Sequence, residues 1–165
     1  ALSVQLFDIF GEVHALPAET RDLLKAAAML HDIGKFIDYS QHHKHTLYLL
    51  SNMALPGYTN DERDIIAHTA RYHRKSNPKA SHLEYQRLNP RKQEIILKLS
   101  VLLRIADSLD RSYSSSITGL RGKKLEARNW QIGFDASSES LLEKWAFNRK
   151  KEFFEKVFNT TLTLE

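Results

Sequence analysis

The segment Ala26-Ala27-Ala28-Met29-Leu30-His31-Asp32-Ile33-Gly34-Lys35 constrains this chain more than any other. Strong helix formers carry an adjacent histidine and aspartate to a last turn, and a glycine follows. Pro17 suits a first helical position, where a missing N–H is tolerated, and Glu19 falls in the favourable first turn. On a helix begun there, Leu23, Ala27, Leu30 and Gly34 form one row and Leu24, Ala27 and His31 another. His31 is therefore expected to face inward beside small alanines that let a neighbouring helix approach. The helix is expected to reach about Ile33 and to end at Gly34 in left-handed conformation.

Helical periodicity surrounds this segment. Leu2, Leu6, Ile9 and Val13 mark an amphipathic helix beginning at residue 1 without a cap, so the chain reads as cut from something longer. Residues 41–53 read as a further helix, stopped at Leu55-Pro56-Gly57-Tyr58. Thr59 and Glu62 have the spacing of a capping box, and beyond them Ile66, Ala70 and His73 share a face. Residues 76–89 lack either period and read as a loop. Asn89-Pro90 opens the longest helix, about 90–115, whose apolar face also carries Asp107. The period then changes. Leu125, Ala127, Trp130, Ile132 and Phe134 suggest a hairpin around Arg128-Asn129, residues 138–158 return to helical spacing, and 160–164 read as a closing strand. Trp130, Trp145, Phe153 and Phe154 are expected to form the core of this lobe. The expected fold is mainly α, a helical domain over 1–117 with a small β-β-α-β lobe over 118–165.

The chain has 165 residues, no cysteine and eight histidines. Any metal must therefore be held by imidazole and carboxylate, a set suited to Mn, Mg, Fe, Co, Ni or Zn. Two ligands one residue apart reach one ion only near a helix end, which is where His31 and Asp32 fall. His45, His73 and Asp107 are further inward candidates on separate helices. A core histidine bonded to a carboxylate is the competing reading of the bare dipeptide. The formal charge of +4 is modest, but Arg71, Arg74 and Lys75 flank His73 and fit a phosphate-rich partner as well as they fit an ordinary charged helix end. Basic residues of the lobe, including Arg121, Lys124 and Arg149, read as a solvated face. Nothing resembles a P-loop, a dinucleotide-binding glycine turn or a Ser-His-Asp nucleophile, and no membrane span or secretory leader is readable.

Leu30-His31-Asp32-Ile33-Gly34-Lys35, His42-His43-Lys44-His45, Ala70-Arg71-Tyr72-His73-Arg74-Lys75 and Leu103-Arg104-Ile105-Ala106-Asp107-Ser108-Leu109-Asp110-Arg111 together resemble the HD-domain superfamily of metal-dependent phosphohydrolases. In order and wording they are more specifically similar to the C-terminal region of the exopolyphosphatase/guanosine pentaphosphatase (Ppx/GppA) family. The resemblance implies an HD helical bundle with a mono- or dinuclear divalent-metal site. Carried over by motif, His31, Asp32 and Asp107 match the HD and final D ligands, and His45 and His73 match the extra histidines of dinuclear members. Lys35 reads either as a solvated lysine at a helix C-terminus or, by similarity to the HD-GYP phosphodiesterases, as a catalytic aid to the leaving group. Lys44, Arg71, Arg74 and Lys75 become candidates for holding phosphates.

Two departures accompany the resemblance. The superfamily's first histidine ligand has no counterpart here, falling a few residues before Ala1 in the family pattern, and His14 reads as a surface or hinge histidine. The family's main hydrolysis belongs to two N-terminal actin-like domains, which this chain lacks. The expected function is thus a cytoplasmic hydrolase module acting on phosphoanhydride or phosphoester bonds. Its expected partners are polyphosphate or a guanosine polyphosphate, with no membrane and no specific nucleic acid. The alternative is a non-catalytic polyphosphate-binding, nucleotide-binding or homodimerising module with a degenerate HD site.

Overall fold

The computed structural model describes residues 1–113, 117–136 and 140–165. Its elements are α1 (Leu2–Ile9), α2 (Gly11–His14), α3 (Thr20–Leu30), a 3-10 turn (Ile33–Phe36), α4 (His42–Asn52), α5 (Asn60–Arg71), α6 (Leu83–Gln86), α7 (Pro90–Ser108), β1 (Ile117–Glu126), β2 (Asn129–Ala136), α8 (Leu141–Phe158) and β3 (Thr161–Leu164). The fold is mainly α with a small α+β part, as the change of period implied. The chain forms two compact units, one of residues 17–103 and the other of 1–16 with 104–165. The expected division at 117 follows element type, whereas packing groups the first helices with the sheet.

In the unit of residues 17–103, α5 packs against both α3 and α4. Leu23, Leu24, Ala27, Leu50, Ile65, Ile66 and Ala70 are buried there. The capping box forms as the spacing requires, with the Glu62 N–H donating to Thr59 Oγ1 and the Thr59 N–H donating to Glu62 Oε2 at 2.7 Å. Asn89 caps α7 by accepting the Lys92 N–H. Within the expected loop 76–89 a single turn, α6, forms, and it buries Tyr85, whose hydroxyl donates to the Gln93 carbonyl at 2.8 Å.

The end of α3 differs from expectation. Gly34 is not a left-handed cap, since Gly57 is the glycine with positive φ among the described residues. Gly34 instead lies within the 3-10 turn, where a Cβ would fall 2.1 Å from the His42 carbonyl oxygen and 2.5 Å from the Thr46 nitrogen. Close approach of α4, and not chain reversal, requires glycine here.

The other unit holds a three-stranded sheet in the order β1-β2-β3. β1 and β2 form the expected hairpin, and β3 pairs parallel to β2. Phe10 packs on Trp130 and Phe154 with ring centroids 5.3 and 4.8 Å apart. The single helix expected over the first residues breaks at Phe10 into α1 and α2. Trp130 and Phe154 are core residues as expected, but Trp145 is exposed and carries the Arg149 guanidinium 4.8 Å above its ring. The long helix expected over about 90–115 ends at Ser108, and its last expected residues, with the start of the helix expected at 138, lie partly outside the described residues.

Candidate metal centre

Three elements of the 17–103 unit deliver side chains to one point. His31 stands at the end of α3 and Asp32 immediately before the 3-10 turn, His42 opens α4, and His73 follows the end of α5. One ligand atom from each of His31, Asp32 and His73 lies within 4.8 Å of the others. His42, which the sequence motif contained but did not single out, joins them. Its Nε2 lies 3.1 Å from Asp32 Oδ1 and 3.2 Å from His73 Nε2. His73 Nε2 is 3.7 Å from Asp32 Oδ1, and His31 Nε2 is 3.6 Å from Asp32 Oδ2.

Hydrogen bonds on the far side of each ring fix what these atoms are. His31 Nδ1 meets the Ala28 carbonyl at 2.7 Å, His42 Nδ1 the Tyr39 carbonyl at 3.0 Å and His73 Nδ1 the Ala70 carbonyl at 2.6 Å. A carbonyl oxygen only accepts, so each Nδ1 carries the hydrogen. In the neutral rings each Nε2 then presents a lone pair. Burial, reinforced by the positive field of His31, pushes His73 down to about 2, so His73 is neutral at physiological pH. The Nε2 atoms of His31, His42 and neutral His73 thus converge on the Asp32 carboxylate.

Such a set fits a divalent cation. Ligand bonds of about 2.0–2.2 Å place neighbouring ligand atoms roughly 3.0–3.6 Å apart in octahedral or tetrahedral geometry; the three contacts to Asp32 and the His42–His73 contact are 3.1 to 3.7 Å, and His31 and His73 come within 4.8 Å. Far-side hydrogen bonds to carbonyls are the usual device for aiming metal-ligating imidazoles.

Charge around the centre is uneven. Lys35 donates a hydrogen bond to Asp32 Oδ2 and lies 5.5 Å from the centroid of the Tyr39 ring. Burial works to raise the Asp32 carboxyl, but the Lys35 hydrogen bond and the fields of His31 and Lys35 outweigh it and hold it below the usual carboxylate range. His43, buried beside His42, is pushed down to about 4 by desolvation and by the fields of Arg71, His42, Arg74 and Lys44. Three of the four expected phosphate-holding residues, Lys44, Arg71 and Arg74, therefore act on one spot next to the centre. Lys75 is exposed, with φ 61°.

The remaining candidates are placed as follows. His45 is partly exposed on α4, and Asp107 lies near the end of α7, in the other unit, where its charge acts on Arg104. His14 is not a surface residue. It is 1 % exposed, with Nε2 2.9 Å from the Phe7 carbonyl and Nδ1 accepting the Leu16 N–H, so both ring nitrogens are engaged in holding the chain.

Residues 1–152 match the family described as Ppx/GppA phosphatase, domain III. The chain belongs to that family. A guanosine-5'-triphosphate,3'-diphosphate pyrophosphatase of Pseudoalteromonas atlantica is 31 % identical over 113 residues, which is 68 % of this chain and 22 % of the relative. One from Pseudoalteromonas translucida is 46 % identical over 52 residues, 32 % of this chain and 10 % of the relative. This Ppx/GppA chain thus matches less than a quarter of the length of these curated relatives. No helix among its described residues is long and apolar enough to cross a membrane.

Proposed function

We propose that this Ppx/GppA domain III carries a divalent-metal centre of the HD type on His31, Asp32, His42 and His73, and that it serves a cytoplasmic phosphohydrolase. The convergence of backbone-fixed imidazole lone pairs on one carboxylate carries the reading. With each Nδ1 committed to a main-chain carbonyl, the Nε2 side of each ring is left to meet a cation beside the Asp32 carboxylate. A bound divalent ion would supply Lewis acidity toward a phosphoryl oxygen and acidify a coordinated water. Asp32 contributes the negative charge, while His42 and His73 close the side nearest the core. Lys35 is placed to offer a cation to a phosphate or leaving oxygen at the rim. Lys44, Arg71 and Arg74, whose fields meet at His43, and the exposed Lys75 give an anionic substrate a positive field.

The family resemblance adds Asp107 and His45 as ligands. The relatives are named for pyrophosphatase action on guanosine-5'-triphosphate,3'-diphosphate, and on that ground we take the substrate to be a guanosine polyphosphate or polyphosphate, handled together with actin-like domains of a longer parent protein. Metal analysis of protein purified without a histidine tag tests the centre. Near-stoichiometric metal that is lost in Asp32→Asn supports it, and the metal contents of Asp107→Ala and His45→Ala decide their places. Metal that is sub-stoichiometric and indifferent to all of these substitutions sinks the reading in favour of a non-catalytic binding or dimerising module.

A further inference from the structure

The buried hydroxyl of Thr46 has no part in the ligand set, yet it holds both ends of the turn that presents the ligands. Its Oγ1 accepts the Gly34 N–H at 3.1 Å and donates to the His31 carbonyl at 2.9 Å. The side chain is 0 % exposed. The His31 carbonyl belongs to the last turn of α3, where carbonyls lack helical partners, and the Gly34 N–H lies in the 3-10 turn, so one hydroxyl satisfies a donor and an acceptor that straddle Asp32. No water can substitute easily, because α4 sits too close to Gly34 for even a methyl group to fit between them.

Thr46 also lies one helical turn beyond His42. Residues four apart share a helix face, so the face of α4 that aims the His42 ring at Asp32 also clamps the backbone on either side of Asp32. Movement of α4 along its axis would change the His42–Asp32 distance and strain the Thr46 hydrogen bonds together.

We propose that Thr46 is the positioning residue of this centre, a tie that sets the His31-Asp32 pair in register with His42 without itself touching the ion. The proposal rests on the metal reading for its functional meaning, but the tie itself is measurable without metal. Thr46→Val keeps the shape and removes the hydroxyl, leaving two buried backbone groups unpaired, whereas Thr46→Ser keeps the hydroxyl.

The decisive experiment compares wild type, Thr46→Val and Thr46→Ser in the full chain, by calorimetric titration with Mn²⁺ and by amide hydrogen exchange without metal. In Thr46→Val the Gly34 amide is expected to exchange at least about tenfold faster, while the α5 amides keep their protection. Its Mn²⁺ affinity is expected to fall about 10- to 100-fold. Thr46→Ser is expected to restore both properties to within a few-fold of wild type. Equal losses in the two variants, or a Gly34 amide unaffected by valine, overturn the positioning role. If wild type takes up no Mn²⁺ the metal centre fails, and the Gly34 amide still decides whether Thr46 ties the turn. Should valine prevent folding, Thr46→Ala removes the hydroxyl together with the γ-methyl, and the same Gly34 exchange rate decides.

Discussion

His42 Nε2 and His73 Nε2 face each other across 3.2 Å while the opposite nitrogen of each ring is committed to a main-chain carbonyl. Two neutral rings held this way cannot share a hydrogen bond. The contact is favourable only when a proton or a metal ion lies near both nitrogens.

His42→Ala is therefore expected to weaken divalent-metal binding at least about tenfold, a loss on the scale of disturbing a ligand or its immediate support. His45→Ala, on a partly exposed position of the same helix, is expected to have the smaller effect. Calorimetric titration of the metal-free proteins measures both, and a reversed ranking would make His45 the stronger ligand of the two.

Lys35 and a metal ion are both drawn to the Asp32 carboxylate. Lys35→Met removes the competing charge and is expected to tighten metal binding roughly three- to tenfold by relief of like-charge repulsion. If Lys35 also serves the leaving group, hydrolysis by the metal-loaded protein falls at the same time. Affinity that drops in the variant would show that the lysine supports the ligand set.

Two glycines separate crowding from backbone conformation. Gly34→Ala places a methyl against the main chain of α4 and is expected to lower stability by about 2–3 kcal/mol, the cost of overpacking. Gly57 has open space around it but φ +89°, and Gly57→Ala is expected to cost about 1 kcal/mol through strain alone. Urea unfolding gives both values. The Gly34 variant is also expected to lose metal affinity and the Gly57 variant to keep it.

His68 supplies a pH dependence unconnected with the centre. It is buried, its Nδ1 finds no hydrogen-bond partner among the described residues, and desolvation pushes it from 6.5 down to about 4. Between those values the unfolded chain binds more protons than the folded one, so the neutral buried ring stabilises above about pH 6.5 and that contribution is lost as pH falls toward 4. His68→Leu is expected to flatten the decline in stability between pH 7 and 5 by about 2 kcal/mol. Unfolding midpoints at the two pH values check it, and an unchanged decline would assign it to other groups.

Local signals were legible where one residue type has one structural use. The Thr59 and Glu62 spacing, the proline after Asn89 and the switch of period before Trp130 each led to the element that forms. The inward His73 was readable from Ile66 and Ala70. Choosing among His42, His43 and His45 was harder, because three histidines within four positions point in different directions and only the phase of α4 selects one. The buried row His42, Thr46 and Leu50 contains that phase, but Leu47 and Leu49 blur it. The role of Gly34 is not legible, because a glycine after a helix signals reversal more often than close approach, and closeness depends on a helix met later in the chain. The burial of His14 is not legible, because its partners, the Phe7 carbonyl and the Leu16 N–H, are main-chain groups that leave no mark in the sequence.

The same property bears on how this centre could be inherited or lost. The groups that orient its three imidazoles are carbonyl oxygens of Ala28, Tyr39 and Ala70, and every amino acid brings one. Drift at those three positions cannot delete the orienting atoms. A lineage discards the centre only by replacing the histidines or the aspartate, or by shifting a helix end, so relatives that keep all four side chains should keep the aim of the rings even where the flanking sequence has diverged.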